Sequence, residues 1–164
     1  MYITQFRPLA HEYYPEYLWK NDQKVTLDNA NGKQNDYSHD LLTQEAFKFV
    51  NNHQATPFFL YLAYTIPHVK WQVPDLGQYA GKNWPEKMKI QAAMVTRMDR
   101  DIGQLKRLLE KLGIAEETLI LFNSDNGAHG QGGTLDFFKT SGDLKGKKRS
   151  MYDGGVRSPQ IAYW

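Results

Sequence analysis

Cysteine is absent from the 164-residue chain. The chain can therefore form no disulfide bond and no thiolate metal site, and it has to fold around its own hydrophobic core. A domain of this length buries roughly 70% of its unfolded surface, which is enough to fold without such supports. The lack of cysteine suits a reducing compartment but does not require one, so it leaves the cellular location open.

Long apolar runs and strong charge are also missing. No stretch approaches about 18 consecutive apolar residues, and residues 1–7 lack the basic-then-apolar layout of an export signal. The 20 Lys and Arg nearly balance the 18 Asp and Glu, and no run of about five or six like charges occurs. The sequence therefore predicts no membrane partner and no nucleic-acid partner, and it leaves the oligomeric state open.

Two apolar runs predict buried strands. Residues 57–64 (PFFLYLAY) and 118–122 (TLILF) are continuous runs of strand length, as expected for strands covered on both faces. The chain closes on a third apolar strand, residues 158–164, without a polar tail. Natural termini are usually polar and frayed, so we expect a fragment of a longer protein.

Helix signals occupy the regions between these runs. Thr43 is a plausible cap for a helix over residues 44–52. Trp84-Pro85 opens a longer periodic segment that ends before Gly113, with proline at the start and glycine past the end. Strands and helices in this order predict an α/β layered domain, whose ligand site should lie beyond the C-terminal ends of the strands.

Polar residues that could take part in binding or catalysis follow the two internal strands. His68 lies after the first, although a loop or packing role is the ordinary one for such a histidine. Asp125-Asn126 follows the second, and an Asn-Gly hairpin turn is the simplest alternative there. Carboxylate and carboxamide oxygens suit Ca²⁺ or Mg²⁺ rather than zinc. Two such oxygens do not complete a site, because Ca²⁺ takes about six to eight.

A basic segment follows at Lys145 to Arg149, ahead of Asp153-Gly154-Gly155. Four basic residues among five positions are typical of an exposed loop. The two glycines indicate a sharp turn with backbone conformations that larger residues avoid.

Four motifs together resemble a known family. In chain order they are PFFLYLAYTIPH, AAMVTRMDRDIGQLKRLLEKLG, LILFNSDNG and LKGKKRSMYDGGVRSP. They are similar to the second half of the catalytic domain of an arylsulfatase-type sulfatase, in the alkaline-phosphatase-like superfamily. The resemblance extends over residues 1–164. It implies a mixed sheet flanked by helices, in a partial domain whose N-terminal part, with the nucleophile, and C-terminal part are missing.

The resemblance also implies roles for individual residues. Asp125 and Asn126 match the late Asp–Asn pair that holds the family's divalent cation, usually Ca²⁺, with Mg²⁺ as the alternative. His68 matches the histidine that contacts the substrate sulfate and is proposed to help protonate the leaving oxygen.

One lysine of the basic segment is expected to contact the sulfate as well. Counted back from the glycine pair, Lys148 matches the family's lysine, and Lys145 and Lys147 are the less favoured candidates. A lysine beside a cation would stabilise charge that develops on the nonbridging oxygens.

The nucleophile motif has no match in this chain. The family makes its formylglycine from Cys or Ser in a Cys/Ser-x-Pro-x-Arg motif, and no such motif occurs here. We therefore expect the formylglycine and the two early Asp ligands upstream of this chain. The chain alone is predicted to be inert, whereas its parent hydrolyses sulfate monoesters.

Two alternative functions stay open. A noncatalytic relative would bind Ca²⁺ and sulfated or other anionic ligands without turnover. A phosphodiesterase or phosphatase of the same superfamily would commonly use two metals with additional His and Asp ligands. The expected substrate of a sulfatase is a sulfated small molecule or glycan, and the resemblance implies a periplasmic or secreted parent.

Five further polar residues are of interest. His11, His39 and His129 are candidates for the rim of the site. Asp99 and Asp101, on the long predicted helix, are expected to cap, pair or remain solvated rather than act in catalysis.

Overall fold

The computed structural model describes the backbone of residues 3–4 and residues 11–164. Residues 1–7 lack the layout of an export signal, and apart from the backbone of residues 3–4 they lie outside the described residues. The chain divides into two compact units, Met1–Leu108 and Leu109–Trp164.

A small antiparallel sheet opens the first unit. It has the order β1-β2-β3, with β1 at Ile3–Thr4, β2 at Tyr17–Lys20 and β3 at Gln23–Thr26. The two-residue turn between β2 and β3 places Asn21 at a φ of 57°, a conformation that asparagine tolerates better than most residues. Residues 17–26 therefore form two short strands joined by a tight turn.

Helix α1 is longer than its local signals predict. It covers Ser38–His53 and follows Tyr37, so the expected start at Thr43 is wrong. Thr43 is buried inside the helix, and its hydroxyl lies 2.7 Å from the Tyr64 hydroxyl. The polar first turn is stabilised by distant partners rather than by a local cap.

Helix α2 covers Glu86–Lys111 and confirms the predicted periodic helix. Gly113 beyond its end has a φ of +71°, which allows the chain to turn back and bond the last carbonyls. One face of α2 is buried, including Met94, which has no exposed surface. The core that it joins consists of Tyr13, Tyr14, Tyr37, Ile66 and Met94.

The apolar run 57–64 differs from its prediction. It forms no strand in the described structure, and its side chains alternate between exposed and half-buried. Phe59 and Tyr61 are 87% and 80% exposed. The expectation of burial on both faces is wrong here, because no described residue covers the second face.

The second unit contains the other sheet. Strand β4, Ile120–Asn123, pairs antiparallel with β5, Gln160–Tyr163, in the register Ile120↔Tyr163. Its residues alternate between half-buried and exposed, so the predicted burial on both faces is wrong for this strand too. Helices α3, Thr134–Phe138, and α4, Asp153–Val156, lie in the long connection between the two strands.

The α/β class predicted from the sequence is confirmed. Helices accompany two small sheets, each of them antiparallel in the described structure. Among the described residues, no helix combines the length and apolar character that crossing a membrane requires.

Candidate functional site

The Asp125–Asn126 loop begins directly after β4. The Ser124 hydroxyl donates to the Asn126 carbonyl oxygen at 3.0 Å, which closes the turn. The Asn126 side-chain amide donates to Asp125 Oδ1, so Asp125 Oδ2 and Asn126 Oδ1 take no part in this hydrogen bond. Asp125 is exposed and Asn126 is half-buried. The Asn-Gly hairpin alternative is wrong, because the partner strand of β4 is the distant β5.

Glycines bring this loop against α4 with almost no space between the backbones. The Gly127 N–H donates to the Gly155 carbonyl at 2.9 Å. A Cβ built on Gly127 would lie 2.0 Å from the Gly154 carbonyl oxygen, and one on Gly154 would lie 2.3 Å from the Gly146 oxygen. Only residues without a Cβ permit this approach, so the glycine pair serves close packing at this turn.

The same contact region includes Lys148. Its backbone N–H donates to the Ala128 carbonyl at 2.8 Å, three positions after Asp125, and the residue is half-buried. The second unit therefore brings the segment of Lys148 beside the loop of Asp125 and Asn126.

The two other lysine candidates have different surroundings. The Lys145 ammonium lies 4.0 Å from the centre of the Tyr152 ring, a cation–π contact. The Lys147 side chain lies against Gly130, where a Cβ would come within 2.9 Å of its Nζ. The choice of Lys148 over these two lysines remains a prediction.

His68 lies in the first unit, in a loop that is held by hydrogen bonds to Tyr13. Its Nδ1 is 2.5 Å from the Val69 carbonyl oxygen, and an N–H at this position would donate to that oxygen. The tautomer with Nδ1 protonated leaves Nε2 as the nitrogen for a ligand. The convergence of His68 with Asp125, Asn126 and Lys148 remains a prediction.

Tyr13 anchors the same loop. Its buried hydroxyl lies 2.7 Å from the His68 carbonyl oxygen and 3.1 Å from that of Thr65. Burial raises the pKa of Tyr13 well above its ordinary value, so the hydroxyl remains a donor at every physiological pH. Gln72 extends the anchor by accepting from the Tyr13 backbone N–H at 3.3 Å.

His11 stacks on His68, with ring centres 3.8 Å apart and planes 13° from parallel. This contact makes His11 a neighbour of His68, and its place at the rim of a substrate site remains a prediction. The sequence contained no signal that would have paired these two rings across the intervening residues.

A second polar cluster lies in the first unit and is buried. Ligand atoms of His39, Asp40 and Asp101 all lie within 4.8 Å of one another, so they could in principle hold a metal ion. However, Arg97 forms a two-pronged ion pair with Asp40, and Arg100 donates to Asp101 at 2.8 Å. Two guanidinium groups already neutralise both carboxylates, which favours an ion-pair network over a metal site.

The pairing of His39 with Asp101 settles two sequence expectations. Their side chains are 1% and 3% exposed and 3.0 Å apart, so His39 is no rim residue and Asp101 is a paired one. Burial by itself raises the pKa of Asp101, but hydrogen bonds from His39 and Arg100 outweigh it and hold that pKa below its ordinary value. Asp99 is exposed on α2.

His129 lies in the second unit, close in sequence to Asp125 and Asn126. It is half-buried, and its Nδ1 accepts the Gln131 backbone N–H at 3.2 Å. Its place at the rim of the site remains a prediction.

The sequence and the fold agree with one family of known proteins. The Sulfatase family model matches residues 4–164. The chain belongs to the sulfatase family. The resemblance carried by the four motifs is thereby confirmed.

Three sulfatase-related proteins illustrate the similarity. The chain is 35% identical to the steryl-sulfatase of Homo sapiens over 77% of its own length and 22% of that protein. It is 31% identical to the N-acetylgalactosamine-6-O-sulfatase of Bacteroides thetaiotaomicron over 76% of its own length and 25% of the relative. The solved structure of Ps i-CgsB in complex with k-i-k-neocarrahexaose superposes with a TM-score of 0.76 and 34% identity, covering 90% of this chain and 31% of that one. The chain therefore spans about a fifth to a third of the length of these proteins.

Proposed function

We propose that this chain forms part of the catalytic domain of a sulfuric ester hydrolase. In this proposal Asp125 and Asn126 hold a divalent cation, while His68 and Lys148 contact the sulfate group. The observation that supports it most is the hydrogen bond from the Lys148 backbone N–H to the Ala128 carbonyl, beside the close packing of Gly127 on Gly154 of α4. These backbone contacts place the proposed metal-ligand loop beside a cationic segment, an arrangement that suits binding of a singly charged sulfate monoester.

The donor atoms of the pair fit a hard cation. Asp125 Oδ2 and Asn126 Oδ1 have no hydrogen-bond partner within residues 11–164, and oxygen ligands suit Ca²⁺, with Mg²⁺ as the alternative. The remaining ligands have to come from other parts of the full-length protein. When bound, such an ion acts as a Lewis acid that polarises the oxygens of the sulfate group.

Lys148 stabilises the negative charge of the substrate. An ammonium about 4 Å from a sulfate oxygen contributes about 4 kcal/mol at an effective dielectric of about 20, before desolvation is subtracted. Charge that grows on the nonbridging oxygens strengthens this contact in the transition state, so it serves the rate as well as binding.

His68 supplies a proton to the leaving group. The Val69 carbonyl fixes the ring through Nδ1, so Nε2 faces the ester oxygen in the proposed complex. When the S–O bond breaks, a protonated Nε2 donates its proton to the departing alkoxide, which leaves as an alcohol. The Tyr13 anchor holds the loop so that this nitrogen stays in place.

The nucleophile lies outside this chain in our proposal. An upstream Cys/Ser-x-Pro-x-Arg motif would supply a formylglycine, and an oxygen of its hydrated aldehyde would serve as the nucleophile towards sulfur. Without that part, the isolated chain is inert in our proposal. The motif offers one Asp–Asn pair without the additional His and Asp ligands that two metals require. It therefore favours a single-cation sulfatase over the phosphodiesterases and phosphatases of the superfamily. An upstream half without the motif would instead indicate a noncatalytic Ca²⁺-dependent binder.

The substrate is a sulfated small molecule or glycan. This proposal rests on the relatives' names, which include a steryl-sulfatase and an N-acetylgalactosamine-6-O-sulfatase. A periplasmic or secreted location is proposed from the family resemblance alone.

Turnover of matched esters by the full-length gene product tests the proposal. We expect hydrolysis of 4-nitrophenyl sulfate well above that of 4-nitrophenyl phosphate, with loss of activity on chelation of divalent cations. Asp125→Ala should abolish the activity, and Asp143→Ala, which alters an exposed carboxylate in the same unit, should not. Preference for the phosphate ester, or full activity of Asp125→Ala, would contradict the proposal.

A further inference from the structure

An open groove lies beside the loop of His68, entirely within the first unit. Its volume is about 580 Å³, and its lining residues are Val69, Lys70, Trp71, Glu86, Lys87 and Ile90. Val69 directly follows His68 in the chain, so the lining of the groove begins at the residue next to that histidine. Neither the proposed cation ligands nor the proposed sulfate contacts line it.

The groove offers an aromatic surface that is held in a fixed orientation. The Trp71 indole N–H donates to Gln91 Oε1 at 3.0 Å, which satisfies the polar edge of the ring. Val69 and Ile90 are half-buried beside it and provide apolar neighbours. A ring fixed in this way presents apolar area without the entropy cost of ordering it on binding.

The charge of the groove is positive. Lys70 forms an ion pair with Glu12, and Glu86 forms one with Lys89 at 2.6 Å, so these four charges compensate one another. Lys87 is exposed and forms no ion pair with any residue from 11 to 164, and its ammonium lies 4.9 Å from the Trp71 ring centre. One uncompensated ammonium therefore lies beside the aromatic ring.

We propose that this groove binds a sulfated sugar unit that adjoins the ester cleaved at His68. The apolar face of a sugar ring packs on Trp71, and a sulfate or carboxylate substituent pairs with Lys87. An apolar surface with few polar groups is the ordinary composition of a ligand site, and the open shape admits a chain of linked sugars. This inference rests on the proposed function for the identity of the neighbouring site, but the binding itself does not require turnover.

An NMR titration of the 164-residue chain tests the binding. The probes are a chondroitin 6-sulfate tetrasaccharide and the same tetrasaccharide after desulfation. We expect the sulfated probe to shift the indole N–H signal of Trp71, assigned by its loss in Trp71→Phe, and the desulfated probe to bind at least about tenfold more weakly.

Two variants locate the contact. Lys87→Gln, which changes an exposed side chain, should lower the affinity for the sulfated probe by about tenfold. The matched control Lys82→Gln should leave that affinity unchanged. Lys82 also faces a tryptophan, at 6.0 Å from the Trp84 ring centre, but it does not line the groove. Equal affinity for both probes, or no effect of Lys87→Gln, would overturn the inference.

A kinetic comparison separates this inference from the proposed function. In the full-length protein, Lys87→Gln should lower kcat/KM for the sulfated tetrasaccharide by about tenfold and leave 4-nitrophenyl sulfate unchanged. Equal losses on both substrates, or a larger loss on a steroid sulfate, would refute a sugar subsite. Hydrolysis of no sulfate ester at all would refute the proposed function, while the titration would still decide whether the groove binds.

Discussion

The backbone contact between Gly127 and α4 predicts a large cost for one added methyl group. In Gly127→Ala the new Cβ would lie 2.0 Å from the Gly154 carbonyl oxygen, whereas real Cβ atoms essentially never approach closer than 3.0 Å. The two backbones would have to separate by about 1 Å or more, because neither contacting atom can rotate away. This separation would also stretch the hydrogen bond from Gly127 to Gly155.

The magnitude follows from these two effects. Overpacking costs about 1–3 kcal/mol, and a weakened hydrogen bond adds about 0.5–1.5 kcal/mol. We expect a loss of about 2–4 kcal/mol, which for a chain of this size lowers the melting temperature by about 5–15 °C.

Thermal unfolding followed by circular dichroism, with amide hydrogen exchange at residue 127, measures the effect. Gly81→Ala is the matched control, because a Cβ there meets nothing within 4 Å and its φ is not positive. The control should stay within about 0.5 kcal/mol of the wild type. Gly127→Ala with a wild-type melting temperature and an equally protected amide would refute the close approach.

Three further variants test other parts of the structure. Asp101→Ala should cost about 3–5 kcal/mol of unfolding free energy at pH 7, because it leaves buried His39 without its partner. In the wild type the lowered pKa of Asp101 contributes stability above about pH 4, and this stability is lost as the pH falls through the folded-state pKa. Equal acid sensitivity of wild type and variant in urea unfolding would contradict this. Tyr13→Phe should cost about 1–3 kcal/mol and speed amide exchange at His68, because it removes the buried hydroxyl between two carbonyls; unchanged exchange there would exclude the anchor. Gly103 lies inside α2, and a Cβ added there would lie 3.5 Å from a flexible arginine side chain. Gly103→Ala should therefore stabilise the chain by about 0.5–1 kcal/mol. A lower melting temperature of the variant would argue against this helical environment.

Local patterns predicted the elements whose cause is local. Helix α2 has an apolar period, a proline before its start and a glycine after its end, and it forms where these signals place it. Strand β5 also forms within its predicted apolar run, and β4 overlaps its run but ends one residue beyond it, at Asn123. Their degree of burial could not be predicted, because it depends on what covers each face.

Helix α1 shows what local patterns miss. Its first turn contains His39 and Asp40, which have low helix propensity and little apolar character. They are stabilised by Asp101 and Arg97, about 60 residues later in the chain. Nothing near residue 38 in the sequence signals those partners.

The candidate site divides in the same way. The motifs predict Asp125, Asn126, Lys148 and His68 as site residues, because their residue types and spacing match a family pattern, and these roles remain predictions. The supporting contacts, such as the Tyr13 anchor and the stacked His11, depend on three-dimensional proximity and had no sequence signal. The glycine pair after the basic segment indicated a tight turn, but its packing against Gly127 required coordinates.

A crystal structure of the full-length protein with Ca²⁺ and inorganic sulfate tests the central claim most directly. Our proposal predicts one sulfate ion that is hydrogen-bonded by both Lys148 Nζ and His68 Nε2, next to a cation that is bound by Asp125 and Asn126. A sulfate that contacts only one of the two side chains, or a cation bound elsewhere, would contradict it.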